Sequence, residues 1–212
     1  MKNKLALLTA VMLCAVCGQG VKALNLPAPN ISNGITLKQA LNQRKSDREY
    51  AAREVSDHDL SNILWCANGI NRPSSGNRTA PSAMNFQDIK IYVVTKTGIW
   101  LYNAKQHALA PVATGNFVAQ TGMQDFVTAA PLNLVYVADT SKYAERNTPP
   151  EAITAMTGMD AGFCAQNVYL YCAGAGLGTV FRASVKKDVL AKTLKLGEKE
   201  IIVAAQTIGY LK

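Results

Sequence analysis

Two spacings of apolar residues recur along the chain after residue 35. Leu37, Ala40 and Leu41 repeat at intervals of three and four, which predicts a helix that opens at Thr36 and runs towards Arg44. A second predicted helix begins after Ser56, which is a favourable N-cap followed by acidic residues, and ends at Gly69. Both helices precede the first segment with strand periodicity.

Strand periodicity starts at residue 89. Residues 89–95 and 98–102 alternate in polarity and are predicted to pair across the turn Lys96–Thr97. The later elements are predicted, in chain order, as a helical or mixed segment at 112–125, a buried strand at 132–139, a long helix at about 159–175, a short helix at 188–194 and a final strand at 200–210. This mixture predicts an α+β fold with a central mixed or antiparallel sheet flanked by helices.

The N-terminus has the pattern of a secretory signal peptide. Lys2 and Lys4 precede an apolar block at residues 5–17, and small and polar residues follow as far as Ala23. We therefore expect residues 1–23 to be removed and the protein to be exported to the periplasm. Residues 24–35, rich in proline and glycine, are expected to form an extended lead-in to a single domain at 36–212. No other apolar run approaches the ~18 residues that span a bilayer.

Cleavage changes the charge only moderately. It removes three lysines and no acidic residue, so that the formal net charge of +8 falls by three. The remaining positive charge is scattered and has no interleaved aromatic residues, which argues against nucleic-acid binding. A mild positive excess suits an anionic small ligand.

Three cysteines remain after cleavage, namely Cys66, Cys164 and Cys172. Cys164 and Cys172 are eight residues apart in one predicted helix, hence about 12 Å along its axis, too far for a disulfide. The chain has no CxxC motif and its two histidines are distant in sequence, so a zinc site is not expected. We expect all three cysteines to be buried free thiols.

Two polar segments are candidates for ligand binding. Arg44 and Arg48 are four residues apart, which would place them on one side of a helical turn with Ser46 between them, a suitable cage for phosphate. The alternative is a solvated basic turn. The loop at 71–85 offers hydroxyl, backbone and amide groups near Pro81 that suit the edge of a heteroaromatic ring, although it could be a simple connector.

The glycine-rich run at 174–178 does not have the context of a dinucleotide-binding fingerprint. That motif follows a strand and opens a helix, whereas this run follows an apolar predicted helix. Helix termination is the better interpretation.

Four stretches in this order resemble the FMN-dependent nitroreductase family, in particular its SagB-type (thiazole/oxazole peptide) dehydrogenase-like branch. They are Arg44-Lys45-Ser46-Asp47-Arg48, the segment 59–72, Arg78-Thr79-Ala80-Pro81-Ser82-Ala83-Met84-Asn85, and the segment 160–180 with Ala165-Gln166-Asn167 and Gly176-Leu177-Gly178. The final strand, ending Ile208-Gly209-Tyr210, is also similar to the family, and the likeness covers nearly all of residues 24–212.

The resemblance implies a homodimer with FMN at the interface. In this sequence the implied cofactor-binding residues are Arg44, Lys45, Ser46 and Arg48 for the phosphate and pyrimidine edge, Pro81, Ser82, Ala83 and Asn85 from the partner subunit, and Ala183 and Ser184, whose backbone would approach flavin N5. Family members usually carry a further basic residue beyond the final strand, so we expect Arg78 to help Arg44 and Arg48 meet the phosphate charge. No side chain is expected to act as a catalytic acid or base.

The implied activity is ping-pong electron transfer from NAD(P)H or another donor to an electron-poor acceptor such as a nitroaromatic or a quinone. The SagB-type likeness would imply oxidation of heterocyclised peptides. The alternative outside the enzymes is an exported flavin- or ligand-binding protein that keeps the fold without turnover. A further alternative is an exported structural domain without a chromophore.

Overall fold

The computed structural model describes residues 20–31 and 34–212, so the predicted signal peptide lies almost wholly outside the described residues. The fold is α+β, as predicted. The strands are β1 (Leu24–Asn25), β2 (Ile70–Arg72), β3 (Asn77–Arg78), β4 (Ile89–Val94), β5 (Gly98–Asn103), β6 (Ala108–Thr114), β7 (Leu132–Asp139), β8 (Leu177–Arg182) and β9 (Glu200–Tyr210). The helices are α1 (Leu37–Gln43), α2 (Asp57–Asn68), α3 (Phe126–Ala129), α4 (Ser141–Ala144), α5 (Pro150–Ala175) and α6 (Lys187–Leu194).

The main sheet has seven strands in the order β1-β6-β5-β4-β7-β9-β8. Every pairing between neighbouring strands in the described part of the chain is antiparallel. The strands β2 and β3 form a separate small hairpin inside the predicted 71–85 loop. Helices α2 and α5 pack on one face of the sheet around Ile63, Leu64 and Val168, and α6 packs on the other face through Leu190 and Leu194.

The predicted N-caps of the first two helices are confirmed. Thr36 Oγ1 accepts the Gln39 N–H at 3.3 Å, and Gln39 Oε1 accepts the Thr36 N–H at 2.9 Å, a reciprocal capping box. Ser56 Oγ accepts the Asp59 N–H at 3.1 Å at the start of α2.

The structure adds detail to the sequence prediction or departs from it at three elements. Helix α5 starts at Pro150 rather than near residue 159, because proline fits the first helical turn, whose N–H groups have no intrahelical acceptor. The segment predicted as helical or mixed begins with the end of strand β6, whose alternation is disrupted by Pro111. The glycine run ends α5, since Gly176 has φ +67, but it leads directly into strand β8, which was not predicted.

The lead-in is tied to the sheet. Leu24 and Asn25 pair with β6, and the Ser61 hydroxyl donates to the Pro27 carbonyl at 2.6 Å. His107 Nε2 lies 2.7 Å from the same hydroxyl, and the Tyr102 hydroxyl lies 2.9 Å from His107 Nδ1. These contacts hold Leu24, Asn25 and Pro27 of the lead-in against β6 and α2.

Candidate functional site

The segment that carries Arg44 and Arg48 is not helical, contrary to the sequence prediction. Helix α1 ends at Gln43, and Arg44 has extended backbone angles (φ −56, ψ 123). The segment instead runs across the start of β8, where the Asp47 N–H donates to the Thr179 carbonyl at 3.0 Å. This close approach requires Gly178, since a Cβ there would lie 2.8 Å from Asp47 Cβ.

Aromatic rings support both guanidinium groups. Arg44 Cζ lies 5.4 Å from the centroid of the Tyr169 ring, and Arg48 Cζ lies 5.9 Å from that of Phe126. Among the described residues, no carboxylate forms an ion pair with either guanidinium. Their N–H donors are therefore oriented and available to an anion, in keeping with the predicted role.

Ser46 and Lys45 have different surroundings. The hydroxyls of Ser46 and Tyr169 are 2.9 Å apart, and the Tyr169 oxygen also accepts the Phe181 N–H of β8 at 2.9 Å. Lys45 Nζ instead lies 3.2 Å from Asp47 Oδ1, an ion pair of an exposed lysine that contributes little to stability. Tyr169 thus fixes Ser46 next to the two arginines.

The turn after β8 lies close to the same cluster. The Ser184 hydroxyl donates to Gln124 Oε1 at 2.8 Å, and Gln124 precedes Phe126, the ring under Arg48, by two residues. Within the described part of the chain, the backbone N–H groups of Ala183 and Ser184 donate no hydrogen bond. Two consecutive free N–H donors can serve an acceptor atom on a ligand.

The loop with Pro81, Ser82, Ala83 and Asn85 lies elsewhere in the chain. Ser82 Oγ accepts the Gln87 N–H at 2.8 Å, and Asn85 Nδ2 donates to Asn77 Oδ1 at 3.1 Å. Met84, Asn85 and Gln87 each have φ +51, an uncommon conformation for residues with side chains. Such backbone strain persists only where surrounding contacts hold it in place.

Arg78 belongs to this loop region rather than to the arginine cluster of the same chain. Its Nε donates to Gln87 Oε1 at 3.1 Å and its NH1 to the Asn68 carbonyl at 3.0 Å. Burial lowers the pKa of this guanidinium, although it stays protonated at neutral pH. The observed contacts make Arg78 a support of the loop.

Helix α5 separates the two groups of predicted site residues. Asp160 Oδ1 and Oδ2 accept the Ala83 N–H at 3.1 and 2.9 Å, whereas Tyr169 supports Arg44 and Ser46. Asp160 and Tyr169 are nine residues apart, which is about 13 Å along a helix axis. One chain therefore does not bring the two groups together.

Comparison with known proteins identifies the family of this chain. The Nitroreductase family matches residues 41–210. The crystal structure of a nitroreductase-type protein from Ralstonia eutropha is 37% identical, with TM-score 0.84 over 91% of this chain and 93% of that one. The chain belongs to the nitroreductase family. It is accordingly an oxidoreductase of the nitroreductase type.

More distant proteins described as nitroreductases are also similar to this chain. A nitroreductase-type protein from Methanocaldococcus jannaschii is 28% identical over 194 residues, which cover 85% of this chain and 94% of the relative. A protein from Clostridium difficile described as an FMN-dependent nitroreductase is 20% identical, with TM-score 0.56 over 82% of this chain and 87% of that one. At that identity the likeness supports the fold alone.

This nitroreductase has an uncovered apolar stripe along α5. Met159 and Phe163 are 54% and 46% exposed, and Met84 of the loop is 48% exposed. A Cβ added at Gly158 or Gly162 would have no neighbouring atom within 4 Å. An exposed stripe of large apolar residues beside glycines is typical of a surface on which another helix packs closely.

Sequence reasoning did not find Arg182, the most deeply buried cation of the site region. The residue is 7% exposed, and its guanidinium donates to the Thr121 carbonyl, to Asn133 Oδ1 at 2.6 Å and to Thr207 Oγ1 at 2.7 Å. Burial lowers its pKa to about 10. Because Arg182 immediately precedes Ala183, these bonds fix the start of the turn. An arginine next to the predicted turn was the only sequence signal.

The three cysteines in the described part of the chain are free thiols. Cys164 and Cys172 are buried as predicted, but Cys66 is only half-buried, since it borders a cavity of about 590 Å³ between α1, α2 and α5. Burial raises the pKa of Cys66 and of Cys164 to about 12, so neither is a reactive thiolate at neutral pH.

In the described part of the chain, no cluster of metal-ligating side chains is found and no helix is long and apolar enough to cross a membrane.

Proposed function

We propose that this protein is an FMN-dependent oxidoreductase that works as a homodimer. The observation that carries this proposal is the pair Arg44 and Arg48, whose guanidinium groups rest on aromatic rings and have no carboxylate partner among the described residues. Guanidinium groups in this state are suited to a phosphate ester. The name of the Clostridium difficile protein, an FMN-dependent nitroreductase of the same fold, also supports FMN.

The residues present fit FMN in chemistry. Arg44 and Arg48, with Ser46 and Lys45 beside them, would hold the phosphate and the pyrimidine edge. The free N–H groups of Ala183 and Ser184 would face flavin N5. Bound FMN would supply the redox chemistry, namely electron transfer from a reduced nicotinamide to an electron-poor acceptor such as a nitroaromatic or a quinone.

The loop residues Pro81, Ser82, Ala83 and Asn85 would complete the site from the partner subunit. The separation of about 13 Å along α5 supports this division, because one chain holds the two groups apart. The uncovered stripe with Met159 and Phe163 supplies a surface for the second copy. Arg78, through its bonds to Asn68 and Gln87, would position the loop and add positive charge near the cofactor.

The first test is the visible spectrum of the purified protein and the mass of any released chromophore. We expect FMN at about one per subunit, bleaching by NADH or NADPH, and recovery of colour on addition of a nitroaromatic or a quinone. Protein that stays colourless and does not take up added FMN would refute the proposal. Bound FMN that neither nicotinamide reduces would favour the alternative of a flavin-binding protein without turnover.

Membership of the SagB-type branch is a narrower proposal on the same site. It rests on the sequence motifs and predicts that a thiazoline- or oxazoline-containing peptide reduces the bound oxidised flavin while its own ring is oxidised to the thiazole or oxazole. The corresponding open-chain peptide is the control. Equal flavin spectra with both peptides would argue against this branch.

Export is proposed from the N-terminal sequence. Cell fractionation of the native host followed by N-terminal mass analysis tests it, with a mature protein beginning at Leu24 in the periplasmic fraction as the expected result. Recovery of a chain that retains Met1 from the cytoplasm would contradict it.

A further inference from the structure

Two buried carboxyl groups, those of Asp88 and Asp160, lie beneath the loop at 81–85 and interact with each other. Asp88 is 4% exposed and Asp160 is 2% exposed. The Tyr143 hydroxyl lies 3.4 Å from Asp88 Oδ2 and 3.5 Å from Asp160 Oδ2. A hydroxyl has a single proton to donate, so Tyr143 cannot fully satisfy both carboxyl groups.

The remaining contacts of the two groups are unequal. Asp160 accepts the Ala83 N–H with both oxygens, whereas Asp88 Oδ1 is fully buried and has no hydrogen-bond partner among the described residues. Two buried ionised carboxylates in contact would repel each other, and one oxygen would lack a donor. One proton on Asp88 addresses both problems, since it cancels one of the two charges and turns a carboxyl oxygen without a donor into a hydroxyl that can itself donate.

We propose that Asp88 and Asp160 share one proton and that this proton holds the 81–85 loop in the conformation that the cofactor site requires. The part of the inference that concerns the cofactor rests on the proposed function. Asp160 is then a positioning residue, acting on the loop through the Ala83 N–H. When the proton leaves, repulsion between the carboxylates loosens the support of a loop whose backbone is strained at Met84 and Asn85.

No cation compensates the pair within the described residues. Arg78 and Cys164 lie on the side of Asp160, and Tyr143 lies between the two carboxyl groups. The other charged groups nearby are Lys142 and Arg146, which lie at Phe86, and Lys90, Asp139 and Glu200, which lie at the sheet next to β4. Lys142 donates to the Phe86 carbonyl, and Lys90 pairs with Asp139 and Glu200. The pair is therefore neutralised by a proton rather than by a salt bridge.

Burial, together with the contact to Asp160, raises the pKa of Asp88 to about 7. An unfolded aspartate has a pKa of about 3.9, so between these values the folded chain holds a proton that the unfolded chain has released. The contribution of the pair to stability is thus complete at low pH and is lost as the pH rises towards 7.

The variant Asp88→Asn tests the inference, because its amide can donate permanently to Asp160 while its oxygen keeps the contact with Tyr143. We would titrate FMN into the full-length wild type and variant between pH 5.5 and 8.5 and compare the dissociation constants at each pH. The FMN dissociation constant of the wild type, divided by that of the variant, is expected to rise about tenfold between pH 6 and pH 8. The FMN phosphate, with a second pKa of about 6, affects both proteins equally.

Glu151→Gln is the matched control, since it removes an exposed carboxylate from the first turn of α5. It should follow the wild type at every pH. Should Asp88→Asn fail to fold, Asp160→Asn is the second variant. Its amide at position 160 would be the permanent donor and the Asp88 carboxylate the acceptor. A ratio that stays flat while FMN binds to both proteins would overturn the inference.

A second readout needs no cofactor. Hydrogen exchange at the Ala83 amide and the urea midpoint of the cofactor-free proteins are compared across the same pH range. Burial lowers the pKa of His107, so the contribution of His107 to stability increases with pH below about pH 6.5. This contribution is the same in both proteins. If the Ala83 amide loses protection from exchange at high pH in the wild type alone, the result supports the shared proton. This holds even if neither protein binds FMN, which would refute the proposed function separately. Identical exchange profiles overturn the inference.

Discussion

Arg44 and Arg48 are held in place mainly by ring faces. Tyr169 supports Arg44 and Phe126 supports Arg48, so the planar groups are oriented while their N–H donors stay available. A guanidinium that is oriented before binding loses less side-chain entropy when a ligand arrives. This is the residue-scale basis for expecting strong phosphate binding.

Replacement of both residues, Arg44→Ala with Arg48→Ala, should weaken FMN binding at least about a hundredfold, because each hydrogen bond to a charged group contributes about 1.5–3 kcal/mol. Quenching of FMN fluorescence on binding measures the effect. Riboflavin lacks the phosphate and should lose much less affinity than FMN, because only the contacts to its pyrimidine edge are removed.

The control is Lys192→Ala with Lys195→Ala, which removes two positive charges from α6 and its C-cap. If both double variants lost FMN affinity to the same degree, general charge attraction rather than a phosphate cage would explain the binding.

Arg182 has a different role, because its hydrogen-bonding groups are all buried within the chain. Arg182→Leu would leave the Thr121 carbonyl and Thr207 Oγ1 without the guanidinium donor, and Asn133 Oδ1 with the Thr207 hydroxyl as its remaining donor. We expect a loss of about 3 kcal/mol in the free energy of unfolding. Urea denaturation measures it. Lys105→Leu, at an exposed cation between β5 and β6, should change stability by less than about 0.5 kcal/mol.

The sequence was informative about Arg44 and Arg48 but not about how they are held. Their spacing and the intervening Ser46 indicated a phosphate site, yet the implied helical turn is absent, because α1 ends at Gln43. The supporting rings of Tyr169 and Phe126 are far away in sequence, and no local pattern could identify them. Arg182 was missed for the same reason, since its partners come from three other segments of the chain.

At the scale of elements, α5 combines a buried face with an uncovered one. Its buried side carries Ala161, Ala165 and Val168, and its exposed side carries Met159 and Phe163. Burying such a stripe against a second copy would remove apolar surface from water, a gain of about 25 cal/mol for each Å². The stripe is thus the place where a substitution should affect assembly more than folding.

Phe163→Asp should shift the protein from dimer to monomer and lower FMN occupancy, while the fold of each chain is retained because Phe163 is already half-exposed in it. Sedimentation velocity measures the assembly, and the absorption spectrum measures the cofactor. Val189→Asp, at an exposed apolar residue of α6 outside the stripe, is the matched control and should remain dimeric. A dimeric Phe163→Asp variant would place the interface elsewhere.

Elements with strong local signals were predicted well, whereas those defined by distant pairing were not. Thr36 and Ser56 cap their helices as expected, and residues 89–102 form the predicted hairpin of β4 and β5. Strand β8 follows a helix-ending glycine without a turn signal of its own and exists because it pairs with β9. The early start of α5 was hidden by Pro149-Pro150, which is as compatible with a loop as with a helix N-terminus.

At the scale of the whole molecule, the sheet order is the feature that the sequence could not predict. Strand β7 lies between β4 and β9, so its two partners are separated from each other by more than a hundred residues of chain. Periodicity assigns strands but gives no information about which strands pair. The fold class followed from composition and spacing, while the placement of the 81–85 loop against Asp160 depends on this long-range order.

Helix α5 supports the arginine segment through Tyr169 and the loop through Asp160. In the proposed dimer these two supports belong to different cofactor sites, so each α5 is shared by both sites. Occupation of one site would order a helix that the other site also uses, and the second molecule of FMN would bind more tightly than the first. We expect a Hill coefficient above 1 in FMN titrations of the dimer, and a coefficient of 1 for monomeric Phe163→Asp. The long helix would thus make the two sites cooperative.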